Sequence, residues 1–364
     1  MADRLLHIGV DGRELIGQPT GVGRYVERIL REWISDPAFR HRISVFLPAP
    51  PPVHLTALGP AIQWRVARSR NSGTLWEQTR LPRAIGKAGV EVFFAAGYTA
   101  PLRTPCPFVV AIYDVSFAAH PEWFSWREGM RRRWLTARAA RGARSIVTIS
   151  EFSAAEIVRY FKVDRARIRI APPGPPDVVA PAASGRDPIV LFVGSLFNRR
   201  HIPELIEAFA LVAAKQPAAR LILVGANRTN PPVDPRAIAA TLGVAHAVDW
   251  REYVNDADLD RLYASARVFA FLSDYEGFAM TPMEALAHGA PSVLIDTPVA
   301  REVYGEGAVL VPLDARAIAT ALDGLLHDAS LRDGTLAAGR GRMGLLSWTR
   351  TASTVLKALE AAAR

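Results

Sequence analysis

The stretch from Glu276 to Glu284, EGFAMTPME, sets two carboxylates eight positions apart around a turn-like Gly277-Phe278-Ala279. Carboxylates only accept hydrogen bonds, so a pair placed this way suits a hydroxyl-rich ligand such as a hexose or a ribose. Pro282 is tolerated in a helix's first turn. A helix opening there would aim the N–H groups of Phe278, Ala279, Met280 and Thr281 at a negatively charged group. A second stretch, Gly194-Ser195-Leu196-Phe197-Asn198-Arg199-Arg200, sets adjacent guanidiniums just before the helical pattern IPELIEAF. Such a pair can clamp a diphosphate through charge-assisted, bidentate hydrogen bonds. A third, GQPTGVGRYVERIL from Gly17 to Leu30, places Gly21 and Gly23 where a strand gives way to a helix. Glycines there let the backbone approach a ligand, and free N–H groups at a helix start suit a phosphate. The spacing is not the dinucleotide fingerprint G-x-G-x-x-G. Each stretch also has a plain reading: two solvated acids, two surface arginines, a tight turn.

The elements that must carry these residues follow from hydrophobic pattern. LHIGVDG, RISVFLP, VEVFFA, PFVVAIYD and SIVTIS read as strands in the first half, and PIVLFVG, ARLILVG, VFAFLS and APSVLID in the second. Helical patterns such as GVGRYVERILREW, SAAEIVRYF, IPELIEAFALVAAK, DADLDRLYASA and TPMEALAHG separate many of them. This alternation predicts an α/β fold of mostly parallel sheets covered by helices. IAPPGPPDVVAPAASGRDP, from Ile170 to Pro188, is too rich in Pro and Gly for either element and reads as an interdomain linker. The domain expectation is therefore an N-terminal domain over 1–172, a linker over 173–187 and a C-terminal domain over 188–346. The final stretch, about 347–364, reads as a terminal helix with Trp348 and Leu356 supplying part of its apolar stripe, and it is expected to pack back on the N-terminal domain. Two doubly wound domains facing one another would leave a cleft at the carboxyl ends of their strands, where such folds bind ligands.

Composition bounds the rest. At 364 residues the chain exceeds what one core usually holds. A charged fraction of 22% is ordinary for a globular protein and argues against widespread disorder. The lone Cys106 excludes an intrachain disulfide and any multi-cysteine metal site; it reads as a small core residue in a reducing compartment. No run reaches the apolar length of a membrane span, and the start lacks a signal peptide's apolar core, so the expected location is cytoplasmic.

The net charge of +9 is unevenly spread. Residues 1–172 hold 26 Lys and Arg against 14 Asp and Glu, a surplus of 12, while the remainder is net −3. Much of the surplus lies in Trp126 to Ser145, where Trp126, Met130, Trp134 and Leu135 recur at helical spacing among Arg127, Arg131, Arg132, Arg133, Arg138, Arg141 and Arg144. That is a basic amphipathic helix. It reads as a solvated face over a packed stripe, or as a surface attracted to anionic lipid or a phosphorylated acceptor. No nucleic-acid-binding signature accompanies it, and no nucleic-acid partner is expected.

Taken together, GVGRY, YDVSFAAHPEWF, TISEFSAAEI, PPG, VGSLFNRRHIPELIEAFA, LVGA, YVNDADLDRLYASA, EGFAMTPMEALAHGAPSV and LSWTRTAS resemble the retaining glycosyltransferases of family 4, in particular their bacterial mannosyltransferase-like branch. The resemblance spans nearly the whole chain in the family's order. It implies the GT-B architecture, two Rossmann-like β/α/β domains across a cleft, with the first domain on the acceptor side and the second holding the donor. Glu276 and Glu284 match the family's paired acids, the first on the donor sugar and the second on the ribose. Arg199 and Arg200 match its diphosphate-gripping pair, and Gly277, Phe278, Ala279, Met280 and Thr281 its loop at the helix start. Gly21 and Gly23 match the glycine loop facing the same diphosphate. Tyr253 and Val254, within Arg251 to Val254, match the edge that frames the base.

Two positions depart from the family. Tyr113-Asp114 stands where many relatives carry His-Asp beside the reacting carbon, and Tyr does not ionise likewise near neutral pH. Ser195 stands where many members have Arg, as is usual for this branch. His120, in HPEWF, does not occupy the missing histidine's position and reads as structural.

The expected function is hexosyl transfer, mannose favoured, from a GDP- or UDP-linked nucleotide-sugar to a glycan or lipid-linked acceptor in surface polysaccharide or glycolipid synthesis. The expected mechanism is retaining, with no metal and no cofactor. Peripheral contact with the inner face of the membrane would run through Arg127–Arg144. Two other readings stand beside it: a nucleotide-sugar epimerase or hydrolase, and a non-catalytic nucleotide-sugar-binding protein.

Overall fold

The computed structural model describes residues 5–17, 20–69, 73–177 and 186–364. The chain divides into two compact units, residues 1–174 with 347–364, and residues 175–346. The expected linker straddles this division, and its residues 178–185 lie outside the described residues.

In the first unit, β1 (His7–Asp11), β2 (Arg42–Leu47), β3 (Ile62–Val66), β4 (Val92–Ala95), β5 (Phe108–Ala111), β6 (Ser145–Thr148) and β7 (Ile168–Ile170) form one sheet in the order β3-β2-β1-β4-β5-β6-β7. Every pairing is parallel. In the second, β8 (Ile189–Val193), β9 (Arg220–Val224), β10 (Val248–Arg251), β11 (Val268–Phe271), β12 (Ser292–Ile295) and β13 (Val309–Val311) run β10-β9-β8-β11-β12-β13, again all parallel. Central strands such as β1, β4, β6 and β11 are buried along their whole length. That is why they read as unbroken apolar runs rather than alternating ones. Each strand order reverses once, between β1 and β4 and between β8 and β11. In doubly wound sheets this reversal opens the ligand crevice at the carboxyl ends of the strands. Both units are Rossmann-like.

Four strands escaped the sequence reading. β3 is an edge strand whose Arg65 and Val66 are exposed, and β10 buries only Trp250, so neither shows a clear apolar face. β7 and β13 are three residues each.

The helix Trp348–Ala362 packs within the first unit, on the helix Gly21–Ser35 and on β4 to β7. Trp33 Nε1 donates to Ala352 O at 3.0 Å, and His41 Nε2 meets Glu360 Oε1 at 3.1 Å. Thr351 donates its hydroxyl to Pro172 O. Val355 and Leu359 are fully buried.

Candidate active site

The carboxyl ends of β8 and β11 carry the stretches Gly194–Arg200 and Glu276–Glu284. β8 ends at Val193, and Gly194 turns with φ +145°, a backbone angle only glycine adopts readily. A Cβ there would also lie 2.4 Å from Arg200 Nη1. The chain then makes a short 3-10 turn, Asn198–Arg200, ahead of the helix Ile202–Ala213. β11 ends at Phe271, and the loop through Ser273, Asp274, Tyr275 and Glu276 leads to the helix Met280–Ala287. Asp274 N donates to Arg199 O at 3.0 Å, which ties the two loops together.

Residues 76 and 77 positions apart in sequence meet at one oxygen. Glu276 Oε1 accepts from Arg199 Nη2 at 3.4 Å, from Arg200 Nε at 3.3 Å and from Arg200 Nη2 at 3.2 Å. Ser273 Oγ adds a fourth bond at 2.9 Å. Arg200 is held further by Nη1 donating to Ser195 O at 2.8 Å, and its guanidinium lies 4.9 Å from the centre of the Phe271 ring. Arg199 lies 4.7 Å from the centre of Phe197 and donates through Nε to Tyr275 O at 3.2 Å. Aromatic faces favour a cation without neutralising it. Burial lowers the Arg200 pKa below its ordinary value, and the Glu276 charge offsets only part of that.

Two guanidiniums converge on one carboxylate in this site, so an anion that displaced it would meet both cations at once. Beside it, His201 Nε2 meets Asp274 Oδ2 at 2.5 Å and Nδ1 meets Glu204 Oε1 at 3.3 Å. Burial works against the imidazolium, but these two acids outweigh it and raise His201 to about 9.

The helix Met280–Ala287 starts from Ala279, which takes the left-handed φ of +62° although it is not glycine. Tyr304 donates its hydroxyl to Ala279 O and so holds this strained residue in place. Phe278 is buried, Gly277 is buried, and Met280 is half-buried. Thr281 Oγ1 is buried with no hydrogen-bond partner among the described residues, in the helix's first turn. Glu284 Oε2 accepts from Tyr263 OH at 2.9 Å. Tyr253 is exposed and Val254 half-buried in the loop that follows β10. The structure thus gathers Ser195, Arg199, Arg200, Glu276 and the 277–284 segment on adjoining loops of the second unit.

The remaining predicted residues belong to the first unit. Thr20 Oγ1 caps the helix Gly21–Ser35 by accepting from Gly23 N at 2.9 Å. A Cβ on Gly23 would sit 2.3 Å from Glu14 O, so the close approach it permits is to the chain's own backbone; a Cβ on Gly21 would meet nothing within 4 Å. Tyr113 is buried and donates its hydroxyl to Ala96 O at 2.8 Å, and burial raises its pKa well above the ordinary value. Asp114 accepts from Tyr98 OH and from Ser116 N, each at 2.8 Å. His120 stacks on Trp123 with ring centres 4.0 Å apart.

One cluster escaped the sequence reading. At the carboxyl end of β1, Arg13 Nη2 lies 3.0 Å from Asp11 Oδ2 and 2.5 Å from Glu77 Oε1, and donates to Thr99 Oγ1 at 3.2 Å. Asp11 and Glu77 are buried and the Arg13 side chain is 10% exposed, and desolvation raises Asp11 to about 6. Arg13 therefore anchors the loop after β4 to the loop after β1. Partners 64 and 86 positions away leave no local signal.

Among the described residues no group of three or more His, Cys, Asp or Glu is placed to hold a metal ion. No described helix is long and apolar enough to cross a membrane.

Comparison with known proteins decides the family. Residues 19–176 match the model described as Glycosyltransferase Family 4, and residues 177–342 the model described as Glycosyl transferases group 1. The chain belongs to this glycosyltransferase family. O-antigen chain mannosyltransferase B of Escherichia coli is 28% identical over 265 residues, covering 69% of this chain and 69% of that protein. MMP alpha-(1->4)-mannosyltransferase of Mycolicibacterium hassiacum is 29% identical over 212 residues, covering 55% of this chain and about half, 51%, of its own length. Among solved structures, Anabaena HepE in complex with UDP and glucose superposes with a TM-score of 0.75 at 18% identity, covering 98% of this glycosyltransferase and 100% of that chain. That likeness shows the shared GT-B fold.

Proposed function

We propose that this glycosyltransferase moves a hexose, mannose favoured, from a nucleotide-sugar to a glycan or lipid-linked acceptor of surface polysaccharide or glycolipid, with retention at the anomeric carbon and without a metal. The observation that carries the proposal is the convergence of Arg199 and Arg200 on Glu276 at the carboxyl ends of β8 and β11. Mannose is favoured because relatives that match the chain are mannosyltransferases. HepE, whose fold the chain shares, binds UDP, so both UDP- and GDP-linked donors are to be tried.

In the proposed mechanism the donor diphosphate takes the place of the Glu276 carboxylate on the two guanidiniums. The carboxylate is then released to accept from the sugar's hydroxyls. As the glycosidic bond breaks, charge grows on the leaving diphosphate. A preorganised donor aimed at growing charge typically lowers a barrier by about 2.7–4 kcal/mol. Arg199, Arg200 and the N–H groups at the start of the helix Met280–Ala287 are the donors in question. No divalent ion is then needed to balance the diphosphate, and the acceptor's proton passes to the leaving phosphate on the face it departs from. Glu284 holds the ribose, Tyr253 and Val254 frame the base, and the first unit serves the acceptor.

Peripheral contact with anionic membrane on the cytoplasmic side, through Arg127–Arg144, belongs to the same proposal. Its support is the exposure of Trp126, Met130 and Trp134, which a packed stripe would have buried; of the four apolar residues only Leu135 is covered.

The test is a screen of GDP-mannose, UDP-glucose and their relatives for thermal protection. It is followed by transfer assays in excess chelator, with the product's anomeric configuration read by NMR. Donor turnover that is complete without an acceptor would replace transfer by hydrolysis or epimerisation. Donor binding with no turnover toward any acceptor would leave a binding protein.

A further inference from the structure

The helix Trp126–Gly142 changes character along its length. Its second half packs, with Leu135, Thr136, Ala139 and Ala140 buried. In its first half only Gly129 is buried, and Trp126, Met130 and Trp134, four positions apart on one side, are 67%, 58% and 55% exposed. Single exposed apolar side chains are ordinary, but a contiguous row of three large ones marks a surface made for contact. These three, with Tyr160 and Phe161 of the helix Glu151–Phe161, line a groove of about 820 Å³.

The rim of the groove is cationic. Arg127, Arg131 and Arg133 border it, and no carboxylate is among its lining residues. The helix's own acid, Glu128, is taken by Arg132 at 2.6 Å. Arg131 reaches the Thr74 hydroxyl, and Arg127 lies 5.5 Å from the centre of the Trp126 ring.

An apolar trough bordered by guanidiniums complements an anionic amphiphile: hydrocarbon in the trough, phosphate on the rim. A single hydrocarbon chain matches a trough lined by Trp126, Met130 and Trp134, and a phosphate at its head accounts for the guanidiniums on the rim. We propose that the groove seats the proximal hydrocarbon chain of a lipid phosphate that resides in the bilayer, with its phosphate on Arg127, Arg131 and Arg133. An acceptor carried on such a lipid is then held by tail and phosphate as well as by its sugar. This rests on the proposed lipid-linked acceptor.

The experiment titrates the full chain with ethyl, octyl, decyl and dodecyl phosphate below their micellar concentrations, following indole emission. Affinity is expected to rise about three- to fourfold per added methylene, as burial of hydrocarbon dictates. Emission should shift to the blue in the parent and not in W126F/W134F. R127Q/R131Q/R133Q should lose at least tenfold toward dodecyl phosphate and almost nothing toward uncharged dodecyl maltoside. M130D, which sets a carboxylate in the trough, should abolish the dependence on chain length. These side chains are exposed, so unchanged melting temperatures verify that each variant folds.

Equal affinity for ethyl and dodecyl phosphate would overturn the proposal in favour of a bare phosphate site. Binding to anionic vesicles but to no monomeric alkyl phosphate would overturn it in favour of flat adhesion. Protection by nucleoside diphosphate, measured on the same samples, reports separately on the glycosyltransferase reading, because its binding residues lie in the second unit.

Discussion

Replacing Glu276 with Ala removes the carboxylate that Arg199 and Arg200 share, and leaves two mostly buried cations without it. Removing one partner of a buried ion pair costs about 3–5 kcal/mol. The three side chains are 13%, 16% and 18% exposed, so the low end, about 3 kcal/mol, applies. For a unit of this size, about 2–4 °C of melting temperature accompanies each kcal/mol. Glu276→Ala should therefore lower the second unit's transition by about 6–12 °C. A nucleoside diphosphate brings back the missing negative charge. At a hundredfold excess over its Kd it adds about 2.7 kcal/mol, which recovers most of the loss. In the parent the same diphosphate must first displace Glu276 from the guanidiniums, so the ligand-induced shift should be larger in the variant, although sugar transfer is abolished. Differential scanning calorimetry with and without GDP and UDP is the assay. If the variant melts at the parental temperature, or gains markedly less from the diphosphate than the parent does, the shared-carboxylate argument is wrong.

Glu284→Ala should weaken both nucleoside diphosphate and donor by about 10- to 150-fold, the worth of a charged hydrogen bond of about 1.5–3 kcal/mol, as isothermal titration would show. Gly23→Ala, with its Cβ driven to 2.3 Å from the Glu14 carbonyl, should destabilise the first unit by about 1–3 kcal/mol in urea titrations. Gly21→Ala meets nothing within 4 Å, so any loss of activity at constant stability there would report a ligand approaching the helix start. His201, raised from 6.5 to about 9 in the folded chain, contributes stability that is complete below about pH 6.5 and is lost as pH rises through about 9. His201→Gln should flatten that decline, and identical melting profiles from pH 6 to 10 would show that its charge carries none of it.

Much of the architecture was readable because parallel strands buried on both faces are unbroken apolar runs, as PIVLFVG and VFAFLS are. Where burial is one-sided or brief the signal fades, and IQWRV and VDWR look like loop sequence although they close the β3 and β10 edges of their sheets. Glu276 and Arg199–Arg200 each announced a chemistry, but that they share one oxygen is a fact of the β8–β11 adjacency. Asp11, Arg13, Glu77 and Thr99 announced nothing, since no one of them is unusual until the sheet brings them together. The apolar spacing of Trp126, Met130 and Trp134 is that of a core stripe, and periodicity reports only that residues share a face, not whether anything covers it.

The assignment of the helix Trp348–Ala362 to the first unit has a consequence for synthesis of the chain. Domains ordinarily fold in the order in which they emerge, the N-terminal one first. Here the second unit is contiguous and can close as soon as β13 and its helices are made, while the first still lacks the element that covers Trp33 and one face of β4 to β7. At about 5–20 residues per second, that element follows β7 by roughly 10–35 s, during which β4 to β7 wait without the helix that packs on them. The unit that begins first is thus completed last, and any interruption between β13 and Trp348 leaves its damage at the opposite end of the chain, in the unit that was begun first.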